Sequence, residues 1–210
     1  MQELLSLTGQ LLKLKKAAAA GALIALTLLS GCSSSFNSSK KESAPMLLND
    51  RQAFIDRGVV VELPAPVFKK ELSARQLLTA EYKTGSASLV TLLKTTLNSL
   101  SLVGLSPAGI KLFSAQYNGE GIRVERFVKL DSLPPVNQVV LDIMLGLGPA
   151  AELEGILPAD YEILDDSHKR ILSHKGRTVY IITYQNNDSR QLPVCIENTV
   201  FDYKIVLNNI

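Results

Sequence analysis

From residue 75 onward, apolar and polar positions alternate. Leu78, Ala80 and Tyr82 alternate with Thr79 and Glu81, Ile122 and Val124 with Arg123 and Glu125, and Tyr203, Ile205 and Leu207 flank Lys204 and Val206. Successive side chains of a strand point to opposite faces, so a period of two marks strands with one face buried. Such runs fall at 75–83, 87–94, 101–105, 109–117, 121–128, 161–164, 169–174, 178–184, 192–197 and 201–207, which predicts about ten antiparallel strands. Asn118-Gly119-Glu120-Gly121 supplies the positive-φ residues of a hairpin turn, and Asn186-Asn187-Asp188-Ser189 a second loop. Between the two groups of strands the period becomes 3.6. Val136, Val139, Val140, Ile143 and Met144 fall at i, i+3, i+4, i+7 and i+8, with Pro134 and Pro135 at the start and Gly146 at the end, so an amphipathic helix is expected. A short helical turn over 149–154 follows, closing before Gly155. Upstream, Asn49 with Gln52 resembles a capping box and Gly58 a stop, which predicts a helix over 50–57, then a strand over 59–63 before Pro64 and Pro66. The pattern is α+β: a strongly curved antiparallel sheet of about ten strands, with a central helical segment over its concave face.

The first 45 residues follow a different pattern. Lys13, Lys15 and Lys16 precede an uncharged Ala/Leu-rich stretch over 17–29, the basic and apolar parts of an export signal. At about 1.5 Å per residue it is far shorter than the roughly 30 Å hydrocarbon core of a bilayer. It ends in Leu29, Ser30, Gly31 and Cys32, which resembles the lipobox of bacterial lipoproteins. That resemblance implies diacylation of the Cys32 thiol, cleavage before it with Leu29, Ser30 and Gly31 as the recognition residues, and acylation of the new amino group. Ser33 rather than Asp after the cysteine implies, by the enterobacterial sorting rule, outer-membrane rather than inner-membrane residence. Residues 33–45 form a Ser-rich tether too poor in apolar groups to fold. The expected organisation is a signal peptide over 1–31, an acylated cysteine and tether over 32–45, and a folded domain over 46–210 facing the periplasm. Glu3 and an apolar patch over 4–12 make the region before the signal longer than usual.

Charge narrows the partners. The chain has 22 Lys and Arg against 20 Asp and Glu. Three Lys and one Glu lie in the first 31 residues, so the rest is neutral. A neutral body cannot drive the counterion release on which nucleic-acid binding rests. Cys195 is the second of two cysteines; with Cys32 acylated no intramolecular disulfide can form, and Cys195 reads as a small apolar residue in a strand.

Leu105-Ser106-Pro107-Ala108-Gly109 at the end of one strand, the helix after Leu133-Pro134, and Leu192-Pro193 with Ile196, Asn198, Tyr203 and Ile205 in the last strands resemble the layout of the LolA/LolB-like outer-membrane lipoprotein carriers. They also resemble an uncharacterised family of LolB-like lipoproteins, some encoded in gene clusters that make aryl polyene lipids. The resemblance covers 46–210. It implies an open half-barrel whose concave side, covered by helices, takes a lipid or an acyl or polyene cargo and helps its transfer to the outer membrane. It also implies a membrane-contact loop after the strand at 87–94, with Leu97, then Leu100, as its candidates. The Trp residues of those carriers have no counterpart in a chain without Trp. Leu112, Val136, Val139, Ile143 and Tyr180 are the candidate lipid-binding side chains. Periodicity does not distinguish a lined trough from one these residues fill themselves.

Enzyme signatures are absent from the sequence: no G-x-S-x-G, P-loop, H-E-x-x-H or Gly-rich fingerprint after a strand. The expectation is a non-enzymatic protein without cofactor or metal, its partners being the membrane through its N-terminal acyl chains and the lipid cargo. A second reading is an assembly lipoprotein with a filled core that docks a periplasmic protein. A third is a hydrolase using Ser167 and His168. His168 and His174, near Asp165 and Asp166, read as a solvated hairpin rather than a metal site. Asp142, among apolar neighbours in the central helix, is expected on its solvated flank, and Glu152 and Glu154 point to different sides of a short turn.

Overall fold

The computed structural model describes residues 49–128, 134–185 and 192–210. The signal and tether segments, Leu29, Ser30, Gly31 and Cys32 among them, and the loop expected at 186–189 lie outside the described residues. Those described contain twelve strands and two helices: β1 (Gln52–Asp56), β2 (Val59–Glu62), β3 (Leu72–Tyr82), β4 (Gly85–Thr95), β5 (Leu100–Leu105), β6 (Lys111–Tyr117), β7 (Ile122–Arg126), α1 (Val136–Leu147), α2 (Ala150–Glu154), β8 (Tyr161–Asp165), β9 (Lys169–His174), β10 (Arg177–Tyr184), β11 (Pro193–Asn198) and β12 (Tyr203–Asn209).

Ten strands form one curved antiparallel sheet, β7-β6-β5-β4-β3-β12-β11-β10-β9-β8, which does not close. The ten alternating runs of the sequence are these ten strands. Two meanders, β3 to β7 and β8 to β12, are joined where β12 pairs with β3, from Tyr203 opposite Tyr82 to Asn209 opposite Gln76. The order makes β7 and β8 the two edges. They are consecutive strands, so the chain between them, which includes both helices, must pass from one edge to the other. The register shifts between Gly104 and Leu105, between Thr183 and Tyr184, and between Thr178 and Tyr180. Irregularities of this kind add bend and twist to a sheet. Gly104 lies opposite Phe113, and a β-carbon there would collide with the Phe113 ring; the glycine lets the ring lie against the neighbouring backbone.

One expectation is overturned. Residues 50–57 are not a helix; β1 pairs with β2 as a hairpin outside the main sheet. The side-chain contact of a capping box is half present, since the Asn49 N–H donates to Gln52 Oε1 at 3.3 Å. It closes a turn, in which the Gln52 N–H donates to the Asn49 carbonyl at 3.2 Å. Eight residues gain little from helix propagation once nucleation is included, whereas the strand buries Ala53 and Ile55 completely. Beyond β2, the Tyr117 hydroxyl lies 2.9 Å from the carbonyls of both Leu63 and Pro64, tying the exit from the hairpin to β6.

Helix α1 is held at both ends by distant strands. The Phe54 N–H of β1 donates to Gln138 Oε1 at 3.2 Å, and the Asn137 amide donates to the Gln52 carbonyl. The helix runs one residue past Gly146, to Leu147, and has no basic residue in its last turn. Arg170 of β9 supplies the cation instead, donating to the carbonyls of Leu145 at 2.6 Å and Gly148 at 2.9 Å while pairing with Asp165 at 3.1 Å. Positive charge at a helix C-terminus is favourable because the last carbonyls lack partners.

Candidate functional site

The alternation that builds the sheet also builds a cavity. Leu78, Ala80 and Tyr82 of β3, Leu89 and Leu93 of β4, and Ile205 and Leu207 of β12 turn to one side, where α1 faces them across a space of about 340 Å³. That is the lower range of small-molecule pockets, roughly 300–1,000 Å³. Helix α1 is apolar on two sides and uses them differently. Val140, Leu141, Met144 and Leu145 are at most 1 % exposed and belong to the core. Val136, Val139, Ile143 and Leu147 border the cavity and are only partly buried. A trough filled by its own side chains would bury this second stripe as completely as the first.

Four of the five candidate lipid-binding residues, Leu112, Val136, Val139 and Ile143, therefore meet around one cavity. Tyr180 does not border it. Its side chain is fully buried, and its hydroxyl donates to Asp142 Oδ1 at 3.1 Å.

Asp142 is the main correction. It is 5 % exposed, not solvated, and borders the cavity. The Tyr203 hydroxyl lies 2.8 Å from its Oδ1 and 3.0 Å from its Oδ2, and the Gln138 amide also supports the carboxylate. Gln138 Nε2 donates to the Tyr180 hydroxyl at 3.0 Å. Burial pushes the carboxyl up to about 7, against the three hydrogen bonds that favour its charged form. The signal was in the spacing: Asp142 follows Val139 by three residues and precedes Ile143 by one, on the stripe that borders the cavity. Its partners come from β10 and β12, which no local pattern connects to it.

A second buried carboxylate, Asp56 at the end of β1, accepts from the Arg57 N–H at 2.7 Å and the Tyr161 hydroxyl at 3.1 Å, pairs with Arg177, and has His174 Nδ1 at 3.4 Å. The imidazole of His174 stacks on Tyr161, centroids 4.4 Å apart. His174 is thus engaged with the hairpin, while His168 is exposed in the β8–β9 turn, its Nδ1 2.7 Å from Ser167 Oγ. Asp166 accepts from the backbone N–H groups of His168 and Lys169, both at 2.7 Å, and shapes that turn. No group of three or more potential metal ligands occurs among the described residues.

The β4–β5 turn separates the two membrane-contact candidates. Leu97 is 59 % exposed at its tip; Leu100 is 1 % exposed and part of the core, so it has no surface to offer a membrane. Their different fates follow from the strand: Leu100 opens β5 with its side chain on the inner face. Cys195 is partly buried, and burial first, then Glu197, pushes its thiol up to about 11, so it stays protonated at neutral pH. None of the helices among the described residues is long and apolar enough to cross a membrane.

A family model described as "Protein of unknown function (DUF3261)" matches residues 73–210. The chain belongs to that family. The matched region holds the ten strands of the main sheet apart from Leu72 at the start of β3, both helices, the cavity and the Asp142 cluster, and leaves out the β1–β2 hairpin that carries Asp56. No curated protein matches the chain.

Proposed function

We propose that this chain is an outer-membrane-anchored periplasmic lipoprotein, tethered through acyl chains on Cys32, that binds a lipid or an acyl or polyene cargo in the cavity between α1 and the sheet and helps its transfer or insertion into the outer membrane. The observation that carries this reading is the incompletely buried apolar stripe Val136, Val139, Ile143 and Leu147 facing an open sheet. Burial of apolar chain against it contributes about 25 cal/mol per Å² and asks for no catalytic group. The resemblance to the LolB-like carriers supports the same reading, as does the lipobox for the anchor, since three acyl chains at about 0.8 kcal/mol per methylene hold without a spanning helix. Leu97, at the tip of the β4–β5 turn, is the side chain we assign to membrane contact.

Mass spectrometry of lipids extracted from gently purified Cys32→Ser protein tests the carrier role: a defined lipid or polyene species should co-purify in near-stoichiometric amount. A cavity that stays empty at every concentration of added lipid, together with stoichiometric cross-linking to one periplasmic protein, would replace it with the assembly role. Intact-mass analysis of the membrane fraction tests the anchor.

A further inference from the structure

The polar groups in the cavity wall are unevenly satisfied, and the imbalance describes what the cavity can take. Around Asp142 every hydrogen is already committed. The Tyr203 and Tyr180 hydroxyls point at the carboxylate, and Gln138 gives one amide hydrogen to Tyr180 and supports Asp142 with the amide as well. Gln138 Oε1 is taken by the Phe54 N–H. On the opposite wall, the Thr91 hydroxyl donates to the Gln76 carbonyl and the Gln76 amide to Asn209. An ionised carboxylate offers about four lone-pair sites, and three donor hydrogens serve them, that of Tyr203 shared between Oδ1 and Oδ2, so the group is one hydrogen short. Tyr203 Oη, which also borders the cavity, has lone pairs besides. The shortage at this point of the wall is of donors.

We infer that Asp142, with Tyr203 beside it, receives a hydroxyl group of the cargo, so that the ligand class is a long apolar chain bearing a neutral hydrogen-bond donor, held by the apolar stripe of α1 and fixed in depth by one bond to Asp142. The inference rests on the carrier reading and names its substrate class. A carboxylate head would set two anions against each other at this point. An ammonium would bring three donors to a site with one clear vacancy and would bury a second charge, with the desolvation that entails. A hydroxyl has one hydrogen to place. Arg126, also bordering the cavity but exposed, gives an anion only an outer contact on the β7 side.

The test uses the full chain carrying Cys32→Ser, a hydrophobic fluorophore (1-N-phenylnaphthylamine) as reporter, and two competitors of matched length, 1-dodecanol and its methyl ether, which lacks only the donor. At pH 8.5 the alcohol should displace the reporter about tenfold more effectively than the ether, the increment of one hydrogen bond to a charged group. The groups facing Asp142 are the phenols of Tyr180, Tyr203 and Tyr82 and the Gln138 amide, none of which changes charge between pH 5.5 and 8.5. The alcohol's advantage should therefore shrink severalfold at pH 5.5, where Asp142 is protonated, and Asp142→Asn should reduce it to within about twofold at both pH values. Equal displacement by alcohol and ether in the unsubstituted wall at pH 8.5, or a preference that survives Asp142→Asn, overturns the inference and leaves the carrier reading standing. Failure of the reporter and both competitors to bind overturns both. If Asp142→Asn does not fold, the pH series on the parent protein decides alone.

Discussion

Asp56 and Asp142 are almost equally sealed from solvent, 4 % and 5 % exposed, but Asp142 lies much deeper in the protein than Asp56, and the two sit in opposite electrostatic settings. At Asp56 burial raises the carboxyl, and the Arg57 N–H, the Tyr161 hydroxyl and the Arg177 guanidinium together more than reverse it, so the group lies below the ordinary carboxylate range. Asp142 has phenols and an amide around it and no cation, so burial wins and the carboxyl rises to about 7. One carboxylate is a clamp that joins the hairpin to the end of the β9–β10 ladder. The other is held partly uncompensated at the wall of a cavity. Position in the fold decides which: a clamp works by being satisfied, whereas an unsatisfied group is retained where something from outside can complete it.

The largest effect expected is on the pH dependence of stability, and it separates the two sites by sign. The folded-state pKa of Asp142 is raised, so its contribution is fully present below about pH 4 and is lost as pH rises toward 7. At 1.36 kcal/mol per unit, this amounts to about 4 kcal/mol. Asp56, with a lowered pKa, contributes above about pH 4 and loses its contribution as pH falls below that. Urea unfolding of the parent and of Asp142→Asn at pH 4.5, 6 and 7.5 should show the parent losing stability relative to the variant across this interval. Parallel profiles would mean that Asp142 is compensated by something other than its phenols.

How much of this was legible in the sequence depends on the range of the interaction. The ten sheet strands could be read because each buries one face, and Leu78, Ala80 and Tyr82 announce that face by alternation alone. The Val136, Val139 and Ile143 stripe of α1 could be read as facing the sheet, since a helical stripe must bury itself somewhere. The helix expected over 50–57 failed because Asn49 and Gln52 make a local contact that serves a turn as well as a helix; what decided between them was β2, which offered Gln52, Ala53 and Phe54 a ladder. Asp142 failed for a related reason. A lone carboxylate on an apolar helix reads as solvated unless its partners are known, and Tyr180 and Tyr203 lie 38 and 61 residues away. Tyr180, expected to line the cavity, lies behind its wall, fully buried with its hydroxyl on Asp142.

Next in size is Asp56→Ala. It leaves the buried Tyr161 hydroxyl and the Arg57 N–H without their acceptor, while Arg177, with its side chain 54 % exposed, can turn into solvent. Destabilisation of about 2 kcal/mol at pH 7 is expected, below the range for breaking a fully buried pair because of that escape. A change under about 0.5 kcal/mol in a urea midpoint comparison would reduce the clamp to a surface contact. Tyr203→Phe should cost about 1.5 kcal/mol at pH 8 and roughly half of that at pH 5, because its hydroxyl bonds to a charged group only when Asp142 is ionised. Combining it with Asp142→Asn should abolish the pH-dependent part, a non-additivity that a double-mutant cycle reads directly.

The smallest effect concerns how much of the Asp56 clamp is ionic. His174 Nδ1 lies 3.4 Å from Asp56 Oδ2, the longest of that carboxylate's contacts, and the imidazole is 25 % exposed. The ring's stronger engagement is its stack on Tyr161, with planes within 8°. Stacking positions the Tyr161 hydroxyl that bonds to Asp56, so His174 acts on the carboxylate mainly through its neighbour. His174→Phe, which keeps a flat ring and removes the nitrogen, should then cost about 0.5 kcal/mol at pH 7, and His174→Ala, which removes the stack, about 1 kcal/mol. Equal costs for Phe and Ala would assign the whole contribution to the imidazole nitrogen and none to the stack. A smaller cost for Phe keeps the distinction drawn above, with charge satisfied by Arg177 at one carboxylate and by no cation at the other, and aromatic rings in both clusters positioning the hydroxyls that reach the acid.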